Sequence, residues 1–139
     1  MTDPSGFGAI GRRVAEIGLA FGMRVLGYDP FVKQAPAGVA LAALDEVFGA
    51  SHVVSLNCPL TGDNRQMVNR ASIAKMRDGA ILVNTGRGGL IDEAALLEAL
   101  AAGKLRAAGL DAFATEPLVG EHPFRAVPNI VLSPHIGGV

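Results

Sequence analysis

With 139 residues, half of them apolar, the chain has material for one hydrophobic core and no room for a second full domain, so 1–139 is read as a single unit. Twelve basic and thirteen acidic residues leave a net charge of −1 without long runs of either sign, which argues against a nucleic-acid or membrane surface and leaves small ligands as expected partners. One cysteine rules out an internal disulfide, and neither a basic-then-apolar leader nor an 18-residue apolar span is visible, so a soluble cytoplasmic protein is expected.

Met1 to Ser5 carries almost nothing apolar and includes Pro4, which has no amide to donate, so no central strand is expected there. Gly6-Phe7-Gly8-Ala9-Ile10-Gly11 then matches the spacing of a dinucleotide-binding turn. The first glycine permits the tight bend, the second lets backbone approach a pyrophosphate, and the third lets the next helix pack closely on its sheet. Phosphate would sit at that helix's N-terminus, against unpaired amides and a positive dipole end. Such a turn normally follows a strand, and in the usual order 3-2-1-4-5-6 that strand is central, so its absence predicts a slot rather than a trimmed edge. The chain therefore reads as a piece of a longer protein, starting one strand late.

Ile10, Val14, Ile17 and Phe21 recur at helical spacing and predict the apolar face of that helix, with Gly22 as its stop. Arg24 to Tyr28 reads as a short buried strand. Asp29, 18 residues after Gly11, stands where a dinucleotide site places a carboxylate on the adenosine ribose hydroxyls. Its charge would repel a 2′-phosphate, which favours NAD over NADP. Pro30 to Gly38 reads as a connection and Leu41 to Phe48 as a short amphipathic helix. His52 to Asn57 is the next buried strand, with His52 simply starting it, and Cys58 to Gly62 is the loop leaving its carboxyl end. Cys58 is read first as a small buried side chain.

Ala71 to Met76 predicts another helix, Asp78-Gly79 a turn, and Ala80 to Asn84 a fully buried strand that empties into Thr85-Gly86-Arg87-Gly88-Gly89. Asp92 can cap a helix running through Ala101, closed by Gly103. Leu105 to Asp111 is a further strand, Ala112 to Pro128 is irregular and proline-rich, and Asn129 to Leu132 is the last strand, ending at Ser133-Pro134-His135. Strand and helix alternate with no repeat or linker, the pattern of an α/β doubly wound parallel sheet.

Arg87, Glu116 and His135 each follow a different strand, on the side where an α/β crevice forms. Singly, each has an ordinary reading as a surface arginine, a turn residue beside Pro117, or a strand terminator. Together they offer what a 2-oxo or 2-hydroxy acid needs: a guanidinium for carboxylate and carbonyl oxygen, an imidazole for proton transfer, and a carboxylate to orient it.

These runs, Gly6 to Gly11 with Asp29, Leu56 to Thr61, Asn84 to Asp92, Gly109-Leu110-Asp111 with Glu116-Pro117, and Pro134 to Gly138, resemble the nucleotide domain of the D-isomer-specific 2-hydroxyacid dehydrogenases over nearly the whole chain. The resemblance implies a Rossmann-like fold and hydride exchange between NAD and C2 of a small 2-hydroxy or 2-oxo acid, as in glyoxylate or hydroxypyruvate reductases and phosphoglycerate dehydrogenases. It implies Arg87 as the group that binds the substrate carboxylate and polarises its carbonyl, His135 as acid/base and Glu116 as its partner, whose charge should raise the histidine pKa. It further implies that Gly6, Gly8, Ala9, Ile10, Gly11 and Asp29 hold the adenosine and pyrophosphate, that Cys58, Pro59 and Thr85 line the cofactor, and that Asp111 holds the nicotinamide end. No metal is expected. The family also carries a second, substrate-binding domain built from segments on both sides of this one and dimerises through the nucleotide domain. The chain is thus expected to be incomplete at both ends, to be part of a homodimer in the complete protein, and to turn over little by itself. Two other readings stay open: an NAD-binding regulatory or protein-association module without turnover, and a non-functional fragment.

Overall fold

The computed structural model describes residues 7–138; Met1 to Ser5 and Gly6, the first glycine of the turn, lie outside the described residues. The chain runs α1 (Ala9–Ala20), β1 (Val25–Gly27), β2 (Val39–Leu41), α2 (Leu44–Ala50), β3 (Val53–Leu56), α3 (Arg70–Lys75), β4 (Ala80–Asn84), α4 (Glu93–Ala101), β5 (Leu105–Leu110) and β6 (Ile130–Leu132). Single 3₁₀ turns occupy Gly88–Leu90 and Pro123–Ala126. All strand pairs are parallel: β1 with β2 in one sheet, and β3-β4-β5-β6 in that order in a second. Parallel strands need crossovers, and the helices between them supply these, giving the α/β class the alternation predicts.

Among the described residues, β1 and β3 are each paired on one side only. Both border a cavity of about 1000 Å³, together with Phe7, Ala15 and Phe48. The order is therefore β2-β1, a gap, then β3-β4-β5-β6, with the gap where the expected central strand would lie. The core sits on the four-stranded side. Phe48, Leu82, Leu90, Leu96, Leu105 and Phe124 are at most 1% exposed, and burial of each such side chain stabilises the fold by roughly 1.5–3 kcal/mol.

Local signals explain most boundaries. Asn69 caps α3 by accepting from the Ala71 and Ser72 amides while the Ser72 hydroxyl accepts from the Asn69 amide, a reciprocal capping box. Asp92 caps α4 as expected, its Oδ1 accepting from Ala94 and Ala95 at 3.1 and 3.2 Å. Two expectations are corrected. The face of α1 turned inward carries Gly11 and Ala15, while Ile10, Val14, Ile17 and Phe21 remain 41–77% exposed. The reason is close approach: a Cβ on Gly18 would stand 3.2 Å from Val25 Cγ2, so the small residues must face β1. The second correction is β2 (Val39–Leu41), which starts just after the expected connection and takes Leu41 from the expected helix, so that α2 begins only at Leu44.

Candidate active site

Register aligns the site. Leu56 is level with Asn84, Asn84 with Leu110, and Leu110 with Leu132. The residues that follow, Asn57, Thr85, Asp111 and Ser133, therefore leave the sheet side by side at its carboxyl edge, where an open parallel sheet forms its ligand crevice.

Three glycines let the loops from this edge close on one another. A Cβ on Gly86 would stand 3.0 Å from the Cys58 carbonyl oxygen, one on Gly89 2.6 Å from Leu60 Cδ2, and one on Gly88 1.8 Å from the Phe113 carbonyl carbon. The last is a backbone-to-backbone contact that no side chain could enter. Asn84, fully buried, holds the turn that bears Arg87: its Nδ2 donates to the Arg87 carbonyl at 2.9 Å and its Oδ1 accepts from Gly86 N–H at 3.0 Å.

Glu116 and His135 meet. Glu116 Oε2 lies 2.6 Å from His135 Nδ1, and Glu116 Oε1 accepts from Phe113 N–H at 2.9 Å. Each side chain is about one-third exposed, 33% and 37%. The hydrogen bond from His135, followed by that from Phe113, holds the Glu116 carboxyl below the usual carboxylate range, and the charges of His135 and Arg87 add to this against partial burial. A carboxylate accepts only, so Nδ1 carries the proton in this pair and Nε2 is left as the ring's second proton site. Beside the pair lies a cavity of about 530 Å³, bordered by Phe113, Leu118, Arg125 and Leu132.

Asp111 braces the histidine's turn. It is 4% exposed, and its Oδ1 accepts from the Ser133 hydroxyl at 2.6 Å and Ile136 N–H at 3.0 Å while Oδ2 accepts from Gly137 N–H at 2.8 Å. These bonds flank His135, whose φ of 57° puts a non-glycine residue in the left-handed region. Ser133 foremost, then the two amides and the His135 charge, keep Asp111 below its ordinary carboxylate range against the opposing effect of burial. Arg87 is exposed, and its Nη1 donates to the Gly86 carbonyl at 2.9 Å, leaving its remaining donors for a ligand.

The nucleotide half is arranged around Asp29. Although only 8% exposed, its Oδ2 accepts from Phe7 N–H and its Oδ1 from Phe31 N–H, both at 2.8 Å. This ties the glycine turn to the end of β1. Gly8 precedes α1 with no side-chain cap, so the first-turn amides of Ala9, Ile10 and Gly11 have no side chain competing for them. Gly11, Tyr28, Phe31, Asn57 and Cys58 border the large cavity between the two sheets. Burial pushes the Cys58 thiol up, a backbone hydrogen bond offsets part of this, and the Asp29 charge adds to it. A raised thiol suits packing rather than nucleophilic chemistry. Pro59 lies in the same loop, where its carbonyl accepts from Asn64 Nδ2 at 2.8 Å, and Thr85 is exposed on the rim. An uncapped helix start with a carboxylate beside it fits a dinucleotide. Among the described residues, no group of three His, Cys, Asp or Glu side chains is placed to hold a metal ion, and no helix is long and apolar enough to cross a membrane.

The bracing residues Asn84, Ser133 and Asn64 were not singled out in the sequence. Asn84 looked like a strand end and Ser133 like part of a strand terminus; the register that pairs Ser133 with Asp111 is a tertiary fact.

Residues 5–137 match the model of the family described as D-isomer specific 2-hydroxyacid dehydrogenase, NAD binding domain. A hydroxypyruvate reductase from Thermotoga maritima is 48% identical over 134 residues, which span 95% of this chain and 44% of the relative. A glyoxylate reductase from Aeropyrum pernix is 42% identical over 133 residues, 94% of this chain and 40% of the relative. Among solved structures, an NADPH-dependent glyoxylate/hydroxypyruvate reductase from Sinorhizobium meliloti, in complex with NADP and sulfate, superposes with a TM-score of 0.88 at 34% identity, covering 94% of this chain and 44% of that one. The chain thus spans under half the length of these relatives.

Proposed function

Because the chain belongs to the D-isomer-specific 2-hydroxyacid dehydrogenases, as their NAD-binding domain, we propose that it is the nucleotide half of an oxidoreductase that interconverts a small 2-oxo acid and its 2-hydroxy acid. Glyoxylate and hydroxypyruvate are the substrate class, by likeness to the relatives that bear those names. The cofactor class is a nicotinamide dinucleotide. NAD rather than NADP is the finer reading, supported by the buried Asp29 carboxylate at the end of β1, where a 2′-phosphate would meet negative charge.

The observation that carries the reading is the Glu116–His135 contact at the sheet's carboxyl edge. Bound NADH supplies the hydride. Glu116 orients the ring through Nδ1, so that Nε2 of the imidazolium gives a proton to the carbonyl oxygen as C2 is reduced. In the other direction neutral His135 takes the hydroxyl proton at the same atom. Arg87 grips the carboxylate and stabilises charge growing on the oxygen. Asp111 keeps the histidine's turn in place while this happens, and a role at the nicotinamide end belongs to the same reading. Closure of a second domain over this rim excludes water and brings the reactants into range. The full-length protein is read as a cytoplasmic homodimer, the compartment supported by the single cysteine; sedimentation of that protein tests the dimer.

His135→Ala in the full-length enzyme tests the assignment. Turnover is expected to fall by about 100- to 10,000-fold, with NADH affinity nearly unchanged. A variant that keeps most of its kcat rejects the role of His135.

A further inference from the structure

Outside the residues that line the 530 Å³ cavity stands a second carboxylate–imidazole pair that the proposed chemistry does not use. Glu93 opens α4, where negative charge is favoured by the helix dipole. Its Oε1 accepts from Ala114 N–H at 2.8 Å, and its Oε2 lies 3.7 Å from His122 Nε2. The two side chains are only 23% and 26% exposed.

His122 is fixed in turn. Its Nδ1 accepts from Phe124 N–H at 3.2 Å, which requires that nitrogen to be unprotonated, so the proton of the neutral ring is on Nε2, the atom facing Glu93. The ring also lies 4.8 Å from the buried Phe124 ring, centroid to centroid, and Phe124 lies 6.4 Å from Phe113. Phe113 and Ala114 lie three and two residues before Glu116, and Phe113 N–H is Glu116's own second donor. The other side of Phe113 is closed by Gly88, where no Cβ fits. The loop is thus held between the Arg87 turn in front and Glu93 with His122 behind.

We propose that Glu93 is a positioning residue: through Ala114 N–H it sets the height of the Phe113–Glu116 loop and so the Glu116–His135 hydrogen bond. This rests on the dehydrogenase reading of that bond. A small displacement is enough to matter, because misplacing a catalytic group by about 1 Å can cost about 100-fold in rate. Loosening the loop weakens the hydrogen bonds from His135 and Phe113 that keep Glu116 ionised. Its carboxyl then moves back toward the ordinary range. The charged groups around Glu116 are His135 and Arg87, with Arg125 on the same cavity, and none of them is altered by a change at Glu93.

The test compares E93A, E93Q and E116Q in the full-length enzyme with NADH and glyoxylate or hydroxypyruvate. E93A is expected to lower kcat about 10- to 100-fold, leave KM for NADH unchanged, and move the acid limb of the kcat profile to higher pH. E93Q keeps an oxygen that accepts from Ala114 N–H and is expected to restore most of the rate and the original limb. A folded E93A enzyme with wild-type kcat, or with a lower kcat and an unmoved acid limb, overturns the proposal. If E93A does not accumulate folded, E93D, one methylene short of Ala114, takes the same readouts, and a wild-type profile from it overturns the proposal equally. E116Q separates the two levels. If E116Q itself leaves the rate unchanged, the dyad reading fails; if E116Q cripples the enzyme and E93A does not, only the positioning role fails.

Discussion

The two halves of the molecule are built to different standards of closure. From Phe48 onward, side chains of α2, β3 to β6, α3 and α4 make one continuous core, and among the described residues none before Leu44 contributes to it or packs against it. The half formed by α1, β1 and β2 has instead a stripe of exposed Ile10, Val14, Ile17 and Phe21 and, among the described residues, a sheet of only two strands. All three residues read as chemical, Arg87, Glu116 and His135, stand on the closed half, whereas Asp29 and the glycine turn stand on the open one. The Glu116–His135 contact is thus carried by the well-packed sheet, and the glycine turn by the part that borders the gap.

The sharpest way to break this comparison is to remove bulk from each half. Leu82→Ala is expected to cost about 2–5 kcal/mol, and Phe21→Ala less than about 0.5 kcal/mol, both read by denaturant unfolding of the same protein. Equal costs would mean that the two halves are packed alike. Gly88→Ala comes next: the new methyl must push Phe113's backbone away, with an expected cost of about 1–3 kcal/mol and a matching loss of turnover through Glu116. Unchanged stability and rate would show that the Arg87 and Glu116 loops are not in the contact described.

A smaller effect is expected on the open half. Asp29→Ser should improve NADP use relative to NAD by about tenfold, about 1.4 kcal/mol, while leaving the acid limb of the pH profile where it was. If the preference does not move, Asp29 does not read the ribose. The smallest effect concerns Asp111. Its folded pKa is lowered, so its contribution to stability is fully present above the ordinary carboxylate value and is lost as pH falls through the lowered one. The unfolding midpoint should therefore drop from about pH 5 downward, and Asp111→Asn should flatten that drop; the same slope in both proteins would refute the buried hydrogen-bonded carboxylate.

The closed half was also the more legible. Ala80 to Asn84 and the helix capped by Asp92 announce themselves through continuous apolar runs and a capping aspartate, and the alternation places Arg87, Glu116 and His135 after strands. On the open half, β2 is three residues long and, among the described residues, pairs only with β1, too short for a period to register. The face of α1 was misread because large apolar residues outweighed the Gly11, Ala15, Gly18 stripe, yet a helix pressed against β1 selects small residues. Glu93, His122 and Asn84 had no signature, since their meaning depends on which loop each meets across the fold. Gly88 was visible as a glycine, but only the structure supplies its reason, the Phe113 backbone.

The backbone at His135 carries a further consequence. A residue with φ of 57°, followed by two residues whose amides are both claimed by one buried aspartate, has little freedom to swing away and return. The imidazole is thus held in one orientation beside Glu116, and the unfavourable torsion is met once, when the chain folds.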